Sequence, residues 1–197
     1  MATVSDSRRL VDKLWSYCNV LRDDGVGVPA TLAVLIQTWA LGHVHERRGE
    51  YAQARCYYEQ SLDLKRVLGE PVALAISMTN LADVLYALGE DAAGHRVNFE
   101  AMEQTLAANA LLYTARAVWS FCKYFLKAAQ PQQALLLACF LSKTQECEQW
   151  VRDEADEMIA SQSAALERPN LRRLQELAQG MDHRAVCDWL QRQPALG

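Results

Sequence analysis

The chain repeats itself every 40 residues, and this period constrains its fold more than any other feature. Ala40-Leu41-Gly42-His43-Val44-His45-Glu46-Arg47-Arg48-Gly49-Glu50 aligns without a gap on Asn80-Leu81-Ala82-Asp83-Val84-Leu85-Tyr86-Ala87-Leu88-Gly89-Glu90. One step further lie Phe121, Cys122, Tyr124, Phe125, Ala129 and Gln130. The second half of each unit keeps the step: Ala54, Gly94 and Ala134 are all small, as a close crossing of two helices requires. Gly49 and Gly89 stand where a first helix must end, because glycine tolerates the left-handed cap conformation. Ala129 departs from that pattern, but Pro131 follows it and suits the first turn of the next helix. Gly69 and Asn109, again one step apart, read as caps of second helices.

Each unit therefore reads as helix, tight turn, helix, short link. The spacing predicts helices over 30–47 and 51–67, then 72–88 and 91–108, then 111–128 and 132–145. In 51–67, Tyr51, Ala54, Tyr58, Ser61 and Leu62 share one face at helical spacing. A unit of this kind buries its core by stacking on its neighbours. The expected fold is an all-α, α-α superhelix, a solenoid of helix-turn-helix repeats with N- and C-terminal capping helices. The expected organisation is an N-terminal helix and linker over 1–28, three repeats over 29–145, and capping helices over 146–197. Leu171, Leu174, Leu177 and Val186, Trp189, Leu190 form the apolar stripes of such a lid.

Composition agrees with a folded helical protein. Hydrophobic residues are 51% and charged residues 22%, and there are only 5 Pro and 9 Gly. The net charge of -4, without a basic block, argues against DNA or RNA as a direct partner. No apolar run approaches the roughly 20 residues of a membrane span, and Met1 to Arg9 is too polar for a secretory signal. The cysteines Cys18, Cys56, Cys122, Cys139, Cys147 and Cys187 form no Cys-x-x-Cys, and most occupy apolar helical positions. They read as small buried hydrophobes of a reducing, cytoplasmic compartment.

Leu41-Gly42, Gly49-Glu50-Tyr51, Ala54, Tyr57-Tyr58 and Leu62 resemble the tetratricopeptide repeat signature, strongly in the first unit and progressively less in the next two. The 40-residue step and Thr79-Asn80-Leu81-Ala82 resemble the longer-repeat variant of kinesin light chains and bacterial signal-transduction regulators. Residues 146–193, through Glu148-Gln149-Trp150, Leu174 to Gly180 and Asp182 to Val186, are similar to the tail that follows such repeats in bacterial ATPase-type transcriptional regulators. No P-loop occurs, so ATPase activity does not carry over. Leu14 to Gly25 resembles the opening helix of type I restriction methylase subunits, but no Gly-rich cofactor loop follows and methylase activity is not expected. The resemblance implies a scaffold or adaptor that binds a protein or peptide in its concave groove. The alternative it implies is the sensor module of a regulator, responding to a peptide or small ligand. Neither reading makes the chain an enzyme.

First helices of such repeats line the groove. The candidate partner-binding residues are therefore Trp39, His43 and Arg47, with Glu46 beside them, then Asn80, Asp83 and Tyr86, then Arg116, Trp119, Lys123 and Lys127. Amides would hold a peptide backbone and aromatics its apolar side chains. Arg116, Lys123 and Lys127 would attract an acidic end. No cofactor, metal or catalytic residue is expected. His43 and His45 stand two apart and point to different sides of a helix, and His45 takes the apolar place of Leu85 and Phe125. Asp153, Glu154, Asp156 and Glu157 alternate with Trp150, Val151, Met158 and Ile159, as on the wet face of an amphipathic helix.

Overall fold

The computed structural model describes residues 30–69, 71–163 and 168–193. The N-terminal helix and linker expected over 1–28, with Cys18 and the Leu14–Gly25 segment, lie outside the described residues. Every regular element among the described residues is an α-helix. They are α1 (Ala30–Arg47), α2 (Tyr51–Leu68), α3 (Pro71–Leu88), α4 (Asp91–Ala107), α5 (Leu111–Lys127), α6 (Pro131–Lys143), α7 (Gln149–Ser163), α8 (Arg168–Gln179) and α9 (His183–Gln191). The fold is an all-α helical repeat.

The turns repeat as the helices do. Gly49, Gly69 and Gly89 take φ of 73°, 72° and 81°, and Asn109 and Ala129 take 52° and 56°. After Gly49, Gly89 and Ala129 the chain folds back onto the last turn: Glu50 N donates to His45 O, Glu90 N to Leu85 O and Gln130 N to Phe125 O, at 2.9, 2.9 and 2.8 Å. The helix before Asn109 ends the same way, with Ala110 N donating to Thr105 O at 2.8 Å. The period thus fixes where carbonyls left open by a helix end find a donor.

The chain forms two compact units, Met1–Gly94 and His95–Gly197. In the first, α1 packs on α2 and α2 on α3. Ala54, Tyr58, Ser61 and Leu62 of α2 are buried, whereas Tyr51 at the head of the expected stripe is exposed. Gly42 lets the Tyr58 ring lie on α1, since a Cβ there would come within 2.6 Å of Tyr58 Cε1. Gly94 does the same for Tyr86, at 2.5 Å. Contrary to the expectation that no segment nears the length of a membrane span, α3 is long and apolar enough by length and composition to cross one. It is 56% buried, and its buried Ala75, Met78, Leu81, Ala82, Val84 and Leu85 belong to the core.

In the second unit, α5 packs on α6, α6 on both α7 and α8, and α9 on α5. Phe121, Phe125, Leu135, Leu137, Phe140 and Leu141 form the fully buried centre. Asn98 Nδ2 donates to Ala117 O at 3.0 Å and ties α4 to α5. The expected helix over 132–145 stops at Lys143. Thr144 turns extended, its hydroxyl donates to Phe140 O at 2.7 Å, and Arg152 of α7 donates to its carbonyl at 3.1 Å. These bonds satisfy the end of the helix without another turn. Val186 and Leu190 of α9 are buried, but Leu177 of α8 remains 52% exposed.

Candidate functional site

In the first unit the candidate residues form one connected cluster. Trp39, His43 and Glu46 follow one another along a face of α1 at helical spacing. The Trp39 and His43 rings meet edge to face at 4.5 Å between centroids, and His43 meets Tyr58 in the same way at 5.5 Å. The Tyr58 hydroxyl donates to Glu46 Oε2 at 2.6 Å. Asn80, from α3, donates through Nδ2 to His43 Nε2 at 3.3 Å. His43 Nδ1 lies 3.6 Å from Glu46 Oε2. His43 and Glu46 keep 34% and 26% of their side chains exposed, so solvent reaches both while bonds from α2 and α3 hold them. Arg47 is exposed beside them, and Asp83 is half-buried on α3.

Burial corrects the expected groove list at three places. Asn80, Tyr86 and Trp119 are only 4–5% exposed. Asn80 supports His43 from behind, and Tyr86 fills the space above Gly94. Trp119 belongs to the second unit's core. All three side chains are turned into the interior of their own unit. The reason is that each stands on a side of its helix that the rest of its unit covers.

The second unit brings its cations together less than the sequence suggests. Lys123 and Lys127 are exposed on α5. Arg116 is half-buried, 3.6 Å from Glu148 Oε2, with its guanidinium 5.8 Å from the centre of the Trp150 ring. Trp150 Nε1 in turn donates to Glu148 Oε2 at 2.9 Å. This cluster joins α5 to the start of α7, so the Arg116 charge is answered within the chain. Glu148 and Trp150 are partners that helical spacing on α5 could not reveal.

The remaining chemical groups are structural. His45 Nδ1 bonds Glu50 Oε2 at 2.5 Å and its ring stacks on Tyr57, so His43 and His45 serve separate partners. Among the described residues no group of His, Cys, Asp or Glu has the arrangement of a metal site. The described cysteines are free; Cys122, Cys139, Cys147 and Cys187 are buried, and Cys56 is exposed. Burial pushes the Cys122 thiol far up and that of Cys147 up to about 11, which leaves both as unreactive thiols. Asp153, Glu154, Asp156 and Glu157 are exposed on α7, opposite the buried Val151, Ala155 and Met158.

Residues 34–93 match the family model of the tetratricopeptide repeat. The match covers α1 from Val34, all of α2 and α3, and the opening of α4. It therefore contains the whole Trp39–His43–Glu46–Asn80 cluster. Tetratricopeptide repeats generally mediate protein–protein interactions. No curated protein and no solved structure matches the chain.

Proposed function

We propose that the chain is a protein-binding module that holds an extended peptide segment against the α1 face of its first unit. The observation that carries this reading is the half-buried Trp39–His43–Glu46 row, in which Asn80 holds His43 and Tyr58 holds Glu46. Side chains already locked by hydrogen bonds lose little rotamer freedom when a partner arrives, which leaves more of the contact energy for affinity. Trp39 offers apolar area, His43 and Glu46 offer hydrogen bonds, and Arg47 and Asp83 flank them with opposite charges. The chemistry is that of recognition, with no activated nucleophile or split pair of acids in the cluster.

Quantitative capture from cell extract tests this with the wild-type chain, Trp39→Ala and Arg47→Glu. Trp39→Ala should weaken the captured partners at all salt concentrations, because its contribution is apolar. Arg47→Glu should weaken them most at low salt, where screening is least. Unchanged capture by both variants would remove the α1 face as the site.

A further inference from the structure

The lid of the second unit does not consume its own apolar stripe. α6, α8 and α9 enclose a groove of about 330 Å³. Leu136 from α6, Leu174 and Leu177 from α8, and Trp189 from α9 supply its apolar walls. Leu136 is buried, Leu174 and Trp189 are half-buried, and Leu177 is half exposed. Among the described residues its lining holds one ionic group, the Arg173 guanidinium, and no carboxylate; its other polar lining residues are side-chain amides. By sequence α8 carries Arg168, Arg172 and Arg173 against the single Glu176, a net basic helix in a chain of net charge -4.

We propose that this groove docks a short acidic peptide segment of a protein partner. A large apolar side chain would sit among Leu174, Leu177 and Trp189, and a neighbouring carboxylate would pair with Arg173. Two features select this occupant over others. The exposed apolar wall gains by burial only under an apolar group, so a wholly polar segment leaves Leu177 wet. The Arg173 guanidinium, the one ionic group among the described lining residues, pairs with a carboxylate in a charge-assisted bond and repels a basic segment. The size of the groove suits one or two anchoring side chains. All the residues involved belong to the second unit, so the proposal does not rest on the α1 face.

A random-peptide display library selected on the full chain, and counter-selected on Leu177→Asp, tests the proposal. Leu177 is exposed, so the substitution spares the core, and circular dichroism of the variant checks that. The surviving peptides should be enriched in Asp or Glu beside Leu, Phe or Trp. They should bind the wild-type chain about tenfold or more tighter than Arg173→Glu. Arg173→Lys, which keeps the charge without the fork, should fall between the two. The proposal is overturned if no peptide distinguishes the wild type from Leu177→Asp, or if those that do are basic or carry no acid. It is also overturned if sedimentation shows a wild-type dimer that Leu177→Asp dissolves, since a second copy of the chain then covers the groove.

Discussion

The same helix crossing is filled in opposite ways along the chain. In the first hairpin the flat surface is Gly42 on α1 and the ring is Tyr58 on α2. In the second hairpin the roles reverse at another level of the crossing: Tyr86 on α3 supplies the ring and Gly94 at the start of α4 the flat surface, whereas Ala82 and Asn98 stand one step on from Gly42 and Tyr58. The third hairpin uses neither. Cys122 takes the place of Gly42, Leu126 that of Tyr86, and Ala134 that of Gly94. There the Cys122 thiol donates to Ala134 O at 3.0 Å, and both residues are fully buried. The hairpins therefore differ in which helix provides the bulk at a close contact.

Gly94→Leu breaks this comparison most severely. Its side chain would enter the Tyr86 ring, whose nearest atom already lies 2.5 Å from the position of a Cβ, and Tyr86 is too buried to swing away. Urea unfolding should show a loss of about 3 kcal/mol, the upper range for overpacking. The sharper test is Gly94→Ala, because alanine is native at Ala54 and Ala134. It should destabilise alone and recover when combined with Tyr86→Leu, which imports the third hairpin's solution. If Gly94→Ala is neutral without Tyr86→Leu, the two residues do not compete for the same space.

The hairpins were legible in the sequence because their ends are written in backbone chemistry. Gly49, Gly69, Gly89 and Asn109 all adopt the positive φ that their residue types favour, and the helix bounds fall within two residues of those the spacing predicts. The site was legible only in part. Periodicity tells which residues share a face of a helix but not whether that face is covered, and so it placed Asn80, Tyr86 and Trp119 beside the exposed Arg47 and Lys123. Residues from elsewhere in the chain were beyond its reach. The bond from Arg152 that helps stop α6 at Lys143 comes from α7, and the Glu148–Trp150 pair that occupies Arg116 sits next to it. The apolar stripe of α8 was visible, but its partial exposure depends on how α6 and α9 frame it.

The links between hairpins offer a second contrast. Lys65 is buried where α2 meets α3, and its ammonium donates to Ala73 O at 2.9 Å and Ser77 Oγ at 2.5 Å. One step on stands Thr105, buried and neutral, accepting at 2.9 Å from the Thr114 hydroxyl. Burial lowers the Lys65 pKa from 10.5 to about 8. Below pH 8 the amine is charged in both folded and unfolded chains, and the folded one bears the whole desolvation cost. Between about pH 8 and 10.5 the unfolded chain binds more protons at this site, so folding stability rises with pH; above 10.5 the gain is complete. Subtracting the pH profile of Lys65→Met from that of the wild type isolates this contribution from the other groups that titrate there. The difference should climb by roughly 2 kcal/mol across the window. A flat difference would mean that Lys65 stays charged and fully solvated in the folded chain.

The smallest effect lies at the turns. Gly49, Gly89 and Ala129 occupy equivalent places and all have positive φ, but Ala129 carries a Cβ. Left-handed backbone costs an L-residue about 1–2 kcal/mol. Replacing alanine by glycine also enlarges the freedom of the unfolded chain, which offsets about 0.4–1 kcal/mol of that gain. Ala129→Gly should therefore stabilise the chain by only about 0.5–1 kcal/mol in urea titration. Gly89→Ala should show the mirror image. A Cβ at Gly89 would meet nothing within 4 Å, so any loss there comes from backbone strain and not from crowding. If Gly89→Ala costs nothing while Ala129→Gly costs stability, strain at these turns is negligible and the glycines serve another purpose. If both move as expected, the third hairpin tolerates at its turn a strain that the first two avoid.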